Sequence, residues 1–251
     1  MRDKKPSPCA PFFLSSIQHP ESSIFYLVDA MRYFPIQLDI RGRRCLVVGG
    51  GGVGTRKVKS LLACGARVNV VSPAATEELR ALAGQGQITL RLREYATEDL
   101  QGVFLVIGAT DDENLNRRVS EDAERSNLLC NIADRPEKCN FILPAVVRRG
   151  DLVITVSTSG QSPALAKKLR QDLQAQFGDE YAVFLELLGA IRKRLLAEAH
   201  APEAHKPIFE RLVHSDILDW IRADRRKDID RLLAEILGDG WRADDLLAQS
   251  H

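Results

Sequence analysis

The chain has 251 residues, with 35 lysines and arginines against 34 aspartates and glutamates. That length accommodates one α/β domain and a smaller partner, and the balanced charge argues against broad nucleic-acid binding. No apolar run approaches the ~20 residues that cross a bilayer, so no membrane partner is expected. The five cysteines are scattered, odd in number and mostly set in apolar runs, and no pair has C-x-x-C spacing. They read as reduced, buried thiols of a cytoplasmic protein, with neither a disulfide frame nor a metal site.

In residues 1–30, Pro6, Pro8, Pro11, Pro20 and several serines interrupt any period. The mildly apolar run Ala10 to Ile17 follows Lys4 and Lys5, but it is short and proline-flanked, unlike a secretory signal. A disordered extension, or a stretch upstream of the true start, is expected there. From Met31 the chain runs into a first strand at Leu46-Val47-Val48, which breaks into glycines spaced G-x-G-x-x-G at Gly49, Gly51 and Gly54. Val53, Lys57, Leu61 and Cys64 then keep helical spacing up to Gly65, and Arg67 to Val71 reads as a second strand.

This βαβ unit is how a parallel sheet meets a dinucleotide pyrophosphate. Gly49 permits the tight turn, Gly51 lets the backbone approach the phosphates, and Gly54 lets helix and strand pack closely. Free N–H groups and the positive helix end face the anion. At the end of the second strand, where a carboxylate would hold ribose hydroxyls, the sequence reads Val71-Ser72-Pro73-Ala74. No arginine cluster stands there for a 2′-phosphate, so recognition falls to the Ser72 hydroxyl and the backbone around Pro73 and Ala74. NAD is favoured over NADP.

Alternation continues to about Pro144. Thr76 to Ala83 is a helix capped by Thr76, with Glu77 and Glu78 in its first turn. Ile88 to Leu92 and the apolar run Val103 to Ile107 are strands, Glu113 to Ser126 is a helix, and Leu128 to Ala133 is another strand. Alternating elements imply an open parallel sheet. The runs Asn140 to Val147 and Leu152 to Ser157, around a turn at Arg149-Gly150-Asp151, form an expected antiparallel pair. A helix from Ala164 to about Phe177 follows, with Ser162 as N-cap and Pro163 at its first position. From Tyr181 onward the chain is helical and amphipathic, with breaks near Pro202, Pro207 and Gly238.

Ligands of such sheets sit outside the carboxyl ends of the strands. Asp134 falls at one of these ends. It is either a turn residue before Arg135-Pro136 or a carboxylate able to accept or hold a proton in the cofactor crevice. Thr110 is placed to touch the cofactor through hydroxyl or backbone, while Asp111 and Asp112 begin the next helix. Asn131 and Asn140 are candidates for orienting loops. Ser157, Thr158, Ser159 and Ser162 gather hydroxyls at a helix N-terminus, a candidate carboxylate nest. Arg56, Lys57, Arg135, Lys138, Arg148, Arg149, Lys167, Lys168 and Arg170 would together suit a small polyanion. His200, His205 and His214 lie in the helical tail as expected surface residues.

The ordered blocks Phe34-Pro35-Ile36, Val47 to Lys57, Ala109-Thr110-Asp111-Asp112, Cys130-Asn131-Ile132-Ala133-Asp134, Phe141-Ile142-Leu143-Pro144 and Ser157 to Ala166 resemble the siroheme-synthase N-terminal region. That is the precorrin-2 dehydrogenase and sirohydrochlorin ferrochelatase family, and the resemblance covers about residues 31–177. It implies NAD-dependent oxidation of precorrin-2 to sirohydrochlorin, with Fe(II) insertion in bifunctional members. By position, Asp134 matches the family's essential aspartate, Gly52-Val53 and Pro73-Ala74 its NAD contacts, and the hydroxyl-rich loop its substrate cleft. The family is typically a homodimer.

The implied organisation is an extension at 1–30, a Rossmann-type NAD domain at 31–144, a small α+β dimerisation segment at 145–180 and a helical domain at 181–251. The substrate is a polycarboxylate tetrapyrrole, contacted by Asn131, Ser157, Thr158 and Ser159. The chain ends before any uroporphyrinogen methyltransferase domain, and that activity is expected to be absent. Two alternatives stay open: a dehydrogenase that passes its product to a separate chelatase, and a non-catalytic NAD-binding sensor.

Overall fold

A computed structural model describes residues 32–133, 135–198 and 205–248. Residues 32–37 fall outside the unit that begins at Leu38, which carries the elements below. Its sheet has five parallel strands: β1 (Arg44–Val48), β2 (Arg67–Val71), β3 (Ile88–Arg91), β4 (Leu105–Gly108) and β5 (Leu129–Ile132), in the order β3-β2-β1-β4-β5. Helices α1 (Gly52–Leu62), α2 (Glu77–Gly84) and α3 (Glu113–Arg125) connect them. The strand order reverses between β1 and β4, and a crevice opens at such a switch point.

Successive side chains of a strand face opposite sides, and β1 shows it. Cys45 and Val47 enter one core with Val58 and Leu61 of α1 and Leu79 of α2. Leu46 and Val48 enter the other, with Val119 and Ala123 of α3. Both faces are covered, which explains the near-continuous apolar composition of the strands. Burial leaves the thiols of Cys45 and Cys130 protonated, pushed up to about 11 and about 12. Cys64 departs from the expectation of buried thiols: it lies in the turn after α1 and is exposed. Cys9 lies outside the described residues.

The helix starts follow side-chain chemistry. The Thr76 hydroxyl accepts from Leu79 N at 3.3 Å, and Asp112 accepts from Asn114 N and Leu115 N at 2.8 and 3.1 Å. The N-cap of α1 is Gly51, with no side-chain cap.

Beyond the sheet, β6 (Ala145–Arg149) and β7 (Leu152–Val156) form an antiparallel hairpin whose Gly150 adopts φ +56°. The strand expected from Asn140 starts only at Ala145. The Asn140 side chain instead accepts from Cys130 N and donates to Leu128 O, holding its segment beside β5. Helix α4 (Pro163–Gln176) is capped by Ser162, which accepts from Leu165 N, and it packs on β6 and β7.

Five described helices follow: α5 (Glu180–Ala197), α6 (Lys206–Val213), α7 (Ile217–Arg222), α8 (Arg226–Leu237) and α9 (Ala243–Ala248). They share a third core around Leu187, Ile191, Leu212, Ile217, Leu233 and Leu246. Pro207 lies where a helix starts, as the break expected near it requires. It occupies the first turn of α6, where its missing N–H has no intrahelical partner to lose. Gly238 does end α8, at φ +96°, and Pro202 lies outside the described residues. His205, expected at the surface, is buried at the start of α6, while His214 is exposed.

Candidate dinucleotide and substrate site

The carboxyl edge of the sheet gathers the loops that the sequence singles out. Gly49 N donates to Val71 O at 3.0 Å, Ala109 N to Val48 O at 2.8 Å and Ala133 N to Gly108 O at 2.8 Å. Gly49 adopts φ +117°, and a Cβ there would lie 2.2 Å from Ala109 O. A Cβ on Gly54 would lie 2.1 Å from Gly49 O. Turn and helix packing are therefore both set by glycine. Gly50, which the spacing motif leaves out, is as constrained. Its Cβ would lie 2.2 Å from Ala74 O, and its carbonyl accepts from Thr76 N at 3.0 Å. That contact seats Ser72, Pro73 and Ala74 against the glycine loop.

At Gly51 and Gly52 an added Cβ meets nothing within 4 Å. Val53 follows in the first turn of α1. Thr55 Oγ1 lies 2.9 Å from Thr76 Oγ1, tying the starts of α1 and α2 together. The result is an open cradle of backbone N–H groups at an uncapped helix start, walled by the 72–75 loop and by Ala109. These residues fit a dinucleotide pyrophosphate.

Thr110 turns its methyl toward Gly49. Its hydroxyl lies 3.0 Å from Asn116 Oδ1 and 3.1 Å from Asp112 O, with one proton to share between them. The hydroxyl is thus committed to its own loop, which leaves the backbone route to a cofactor.

Asp134 lies outside the described residues. Its flanks are well tied. Arg135 N donates to Ile132 O, and the Arg135 guanidinium pairs with Glu113. Asn131, buried, donates to Phe141 O at 3.1 Å, and Ile132 N donates to Cys139 Sγ at 3.1 Å. Asn131 and Asn140 thus tie the 140–141 segment to β5 and its approach.

The hydroxyl-rich segment is bonded to itself. Ser159 N donates to Ser157 Oγ and Ser162 N to Thr158 Oγ1, each at 3.2 Å. Some of the basic group is engaged as well. Arg149 caps the end of α4 through Phe177 O and Gln174 O, and Lys168 pairs with Asp172.

Sequence reading missed a second charged cluster. Arg91 stands in register with Val71, and its carbonyl accepts Ser72 N–H at 3.1 Å. The Arg91 and Arg93 guanidiniums both bind the carboxylate of Asp99. Parallel pairing brings to the end of β2 a basic pair that lies about twenty residues later in the chain.

Residues 36–145 match a family model described as putative NAD(P)-binding, and residues 149–176 match that of the sirohaem biosynthesis protein central region. Siroheme synthase of Nitrosococcus oceani is 36% identical over 211 residues, 84% of this chain and 45% of that protein. Siroheme synthase 1 of Pectobacterium atrosepticum is 42% identical over 182 residues, 72% of this chain and 38% of that protein. The chain belongs to the siroheme synthase N-terminal family. It spans less than half the length of these curated relatives. A solved structure titled SirC, precorrin-2 dehydrogenase, is 27% identical with a TM-score of 0.63, covering 81% of this chain and 98% of that one. Its likeness confirms the parallel-sheet architecture with a helical C-terminal part. The sheet domain is a nicotinamide-dinucleotide-binding domain of this family. No described helix is long and apolar enough to cross a membrane.

Proposed function

We propose that this chain oxidises precorrin-2 to sirohydrochlorin with NAD in siroheme biosynthesis. The observation that carries the reading is the cradle at the sheet mouth. Gly49 and Gly50 press on the backbone of Ala109 and Ala74, while Gly51 and Gly52 stay open above the strand ends. The match to siroheme synthases and to a precorrin-2 dehydrogenase supplies the substrate class.

NAD, when bound, supplies the hydride acceptor. The N–H groups from Gly51 to Gly54 hold the pyrophosphate. Ser72 and the backbone of Pro73 and Ala74 hold the adenosine ribose, and the Thr110 backbone borders the nicotinamide half. Asp134 takes the proton that leaves precorrin-2, or holds the macrocycle for its loss. Asn131 fixes that loop, and the 157–159 loop with Lys138 and Lys167 receives substrate carboxylates. Productive transfer needs the reacting carbon held about 3–3.5 Å from its acceptor, which a rigid sheet edge can provide.

The enzyme works as a homodimer in the cytoplasm. Support for the dimer comes from α4, which buries none of its residues and exposes Leu165 and Leu169. The organisation is an NAD domain at 31–144, a dimerisation segment at 145–180 and a helical domain at 181–251. The test is anaerobic incubation with precorrin-2 and NAD, followed by Fe(II). Sirohydrochlorin formation supports the dehydrogenase. Iron insertion above the uncatalysed rate adds a chelatase step, and its absence leaves that step to a separate enzyme. Binding of NAD without oxidation would favour a sensor.

A further inference from the structure

The residue at the carboxyl end of the second strand faces the adenosine ribose in a dinucleotide fold. Here that residue is Ser72, and its N–H is bonded to the carbonyl of Arg91 on the adjacent strand. Neighbouring strands lie about 4.8 Å apart, so the backbone of Arg91 lies next to the ribose end, and Arg93 follows two residues on. Both guanidiniums are about half exposed, while the Asp99 side chain is 1% exposed.

Asp99 is held from three directions. Arg91 Nη1 donates to Oδ1 at 2.9 Å, Arg93 Nη1 donates to Oδ2 at 2.7 Å, and Ala96 N donates to Oδ2 at 3.0 Å. Arg93 also donates to Glu94 O at 2.8 Å. The Arg93 hydrogen bond, despite partial desolvation, holds the Asp99 carboxyl below the usual carboxylate range, so it is ionised at neutral pH. One buried carboxylate therefore engages two guanidiniums and offsets half their charge.

We infer that Asp99 is a specificity-determining residue: by holding Arg91 and Arg93 it keeps the ribose end selective for a free 2′-hydroxyl over a 2′-phosphate. A 2′-phosphate needs charge-assisted, preferably bidentate, guanidinium contacts. Those donors are spent on Asp99, and its negative charge adds repulsion. Neutralising Asp99 frees two guanidiniums on the segment that borders Ser72 from their anion. The inference rests on the dinucleotide reading of the sheet mouth and deepens it.

The test needs no turnover. Adenosine 2′,5′-bisphosphate and 5′-AMP are titrated calorimetrically into the full chain as wild type, Asp99→Asn, Asp99→Asn with Arg91→Ala, and Arg91→Ala alone. Thermal unfolding of each variant is recorded. Asparagine keeps an oxygen for Ala96 N–H, which favours folding. The expected result is at least a tenfold rise in bisphosphate affinity relative to 5′-AMP in Asp99→Asn, reversed by the added Arg91→Ala. Arg91→Ala alone should leave the ratio within twofold, because Asp99 already occupies that arginine.

An unchanged ratio in folded Asp99→Asn overturns the inference. So does a tenfold loss of relative bisphosphate affinity in Arg91→Ala alone, which stays decisive even where Asp99→Asn fails to fold. Wild type that takes up neither nucleotide nor NAD overturns the dinucleotide reading, and this inference with it. NAD uptake with an unaltered variant ratio overturns the inference alone.

Discussion

In the sheet, Val47, Val58 and Val70 are wholly enclosed, and α1 and α2 on one side and α3 on the other complete the cover. In the segment after it, α4 buries none of its 14 residues, and Val147 is the sole buried apolar side chain of the described β6–β7 hairpin. The two regions show opposite solutions to burial. The sheet finishes its own core, so the loops at its carboxyl edge stand on a rigid base, as a site of fixed geometry requires. The hairpin and α4 leave Val146, Leu165 and Leu169 exposed, the surface on which the proposed dimer would rest. Chemistry at the mouth and association at the hairpin should therefore respond to different substitutions.

The largest separation is expected from Asp134→Ala. Turnover of precorrin-2 should fall by about 10²–10⁴-fold, the range for losing a positioned acid or base. NAD affinity, measured by titration, and the sedimentation of the oligomer should stay as in wild type. Wild-type turnover would remove Asp134 from the mechanism.

Leu46→Ala should lower the unfolding free energy by about 2–5 kcal/mol, because a fully enclosed side chain leaves a cavity. Leu165→Ala should change it by less than about 1 kcal/mol in the isolated protomer. Leu165→Glu with Leu169→Glu should convert dimer to monomer in sedimentation velocity and leave NAD binding intact. Equal costs for Leu46→Ala and Leu165→Ala in a monomer would erase the contrast between the regions.

Within the mouth, Gly50→Ala and Gly51→Ala divide fold from ligand. The first drives a Cβ into Ala74 O and should lower both thermal stability and NAD affinity. The second meets open space and should unfold as wild type does, while NAD affinity drops at least tenfold. A Gly51→Ala variant with undiminished affinity would move the pyrophosphate away from this turn.

The sheet was legible because its signals are local. Glycine spacing, the Thr76 and Asp112 caps and the apolar run before Gly108 each sit next to the element they define. What stayed hidden depends on partners distant in sequence. Asn140 to Pro144 has strand composition, but the Asn140 amide pins the segment to β5 through side-chain bonds that no alternation pattern encodes. Arg91 and Arg93 become neighbours of Ser72 only through the β2–β3 pairing. Gly50 sits between the motif glycines and owes its necessity to Ala74, across the loop.

The smallest effects concern the network under the third strand. Tyr95 donates to Asp122 at 3.0 Å, and burial followed by that bond raises the Tyr95 phenol above its ordinary range. Tyr95→Phe should cost only about 0.5–1.5 kcal/mol, since Asp122 keeps its bonds from Thr97 and Arg125. For Asp99, the folded carboxyl is depressed below its unfolded value. Its contribution is full above the unfolded pKa of about 4 and is lost as pH falls through the lower folded value. Acid unfolding of Asp99→Asn should show a shallower pH dependence in that window.

The most direct measurement is anaerobic conversion of precorrin-2 by the purified chain, with NADH and sirohydrochlorin quantified together. Equal amounts of the two, formed by wild type and nearly abolished in Gly51→Ala at limiting NAD, are the predicted result. Firm NAD uptake with no sirohydrochlorin formed, or conversion that proceeds without any dinucleotide, would contradict the account.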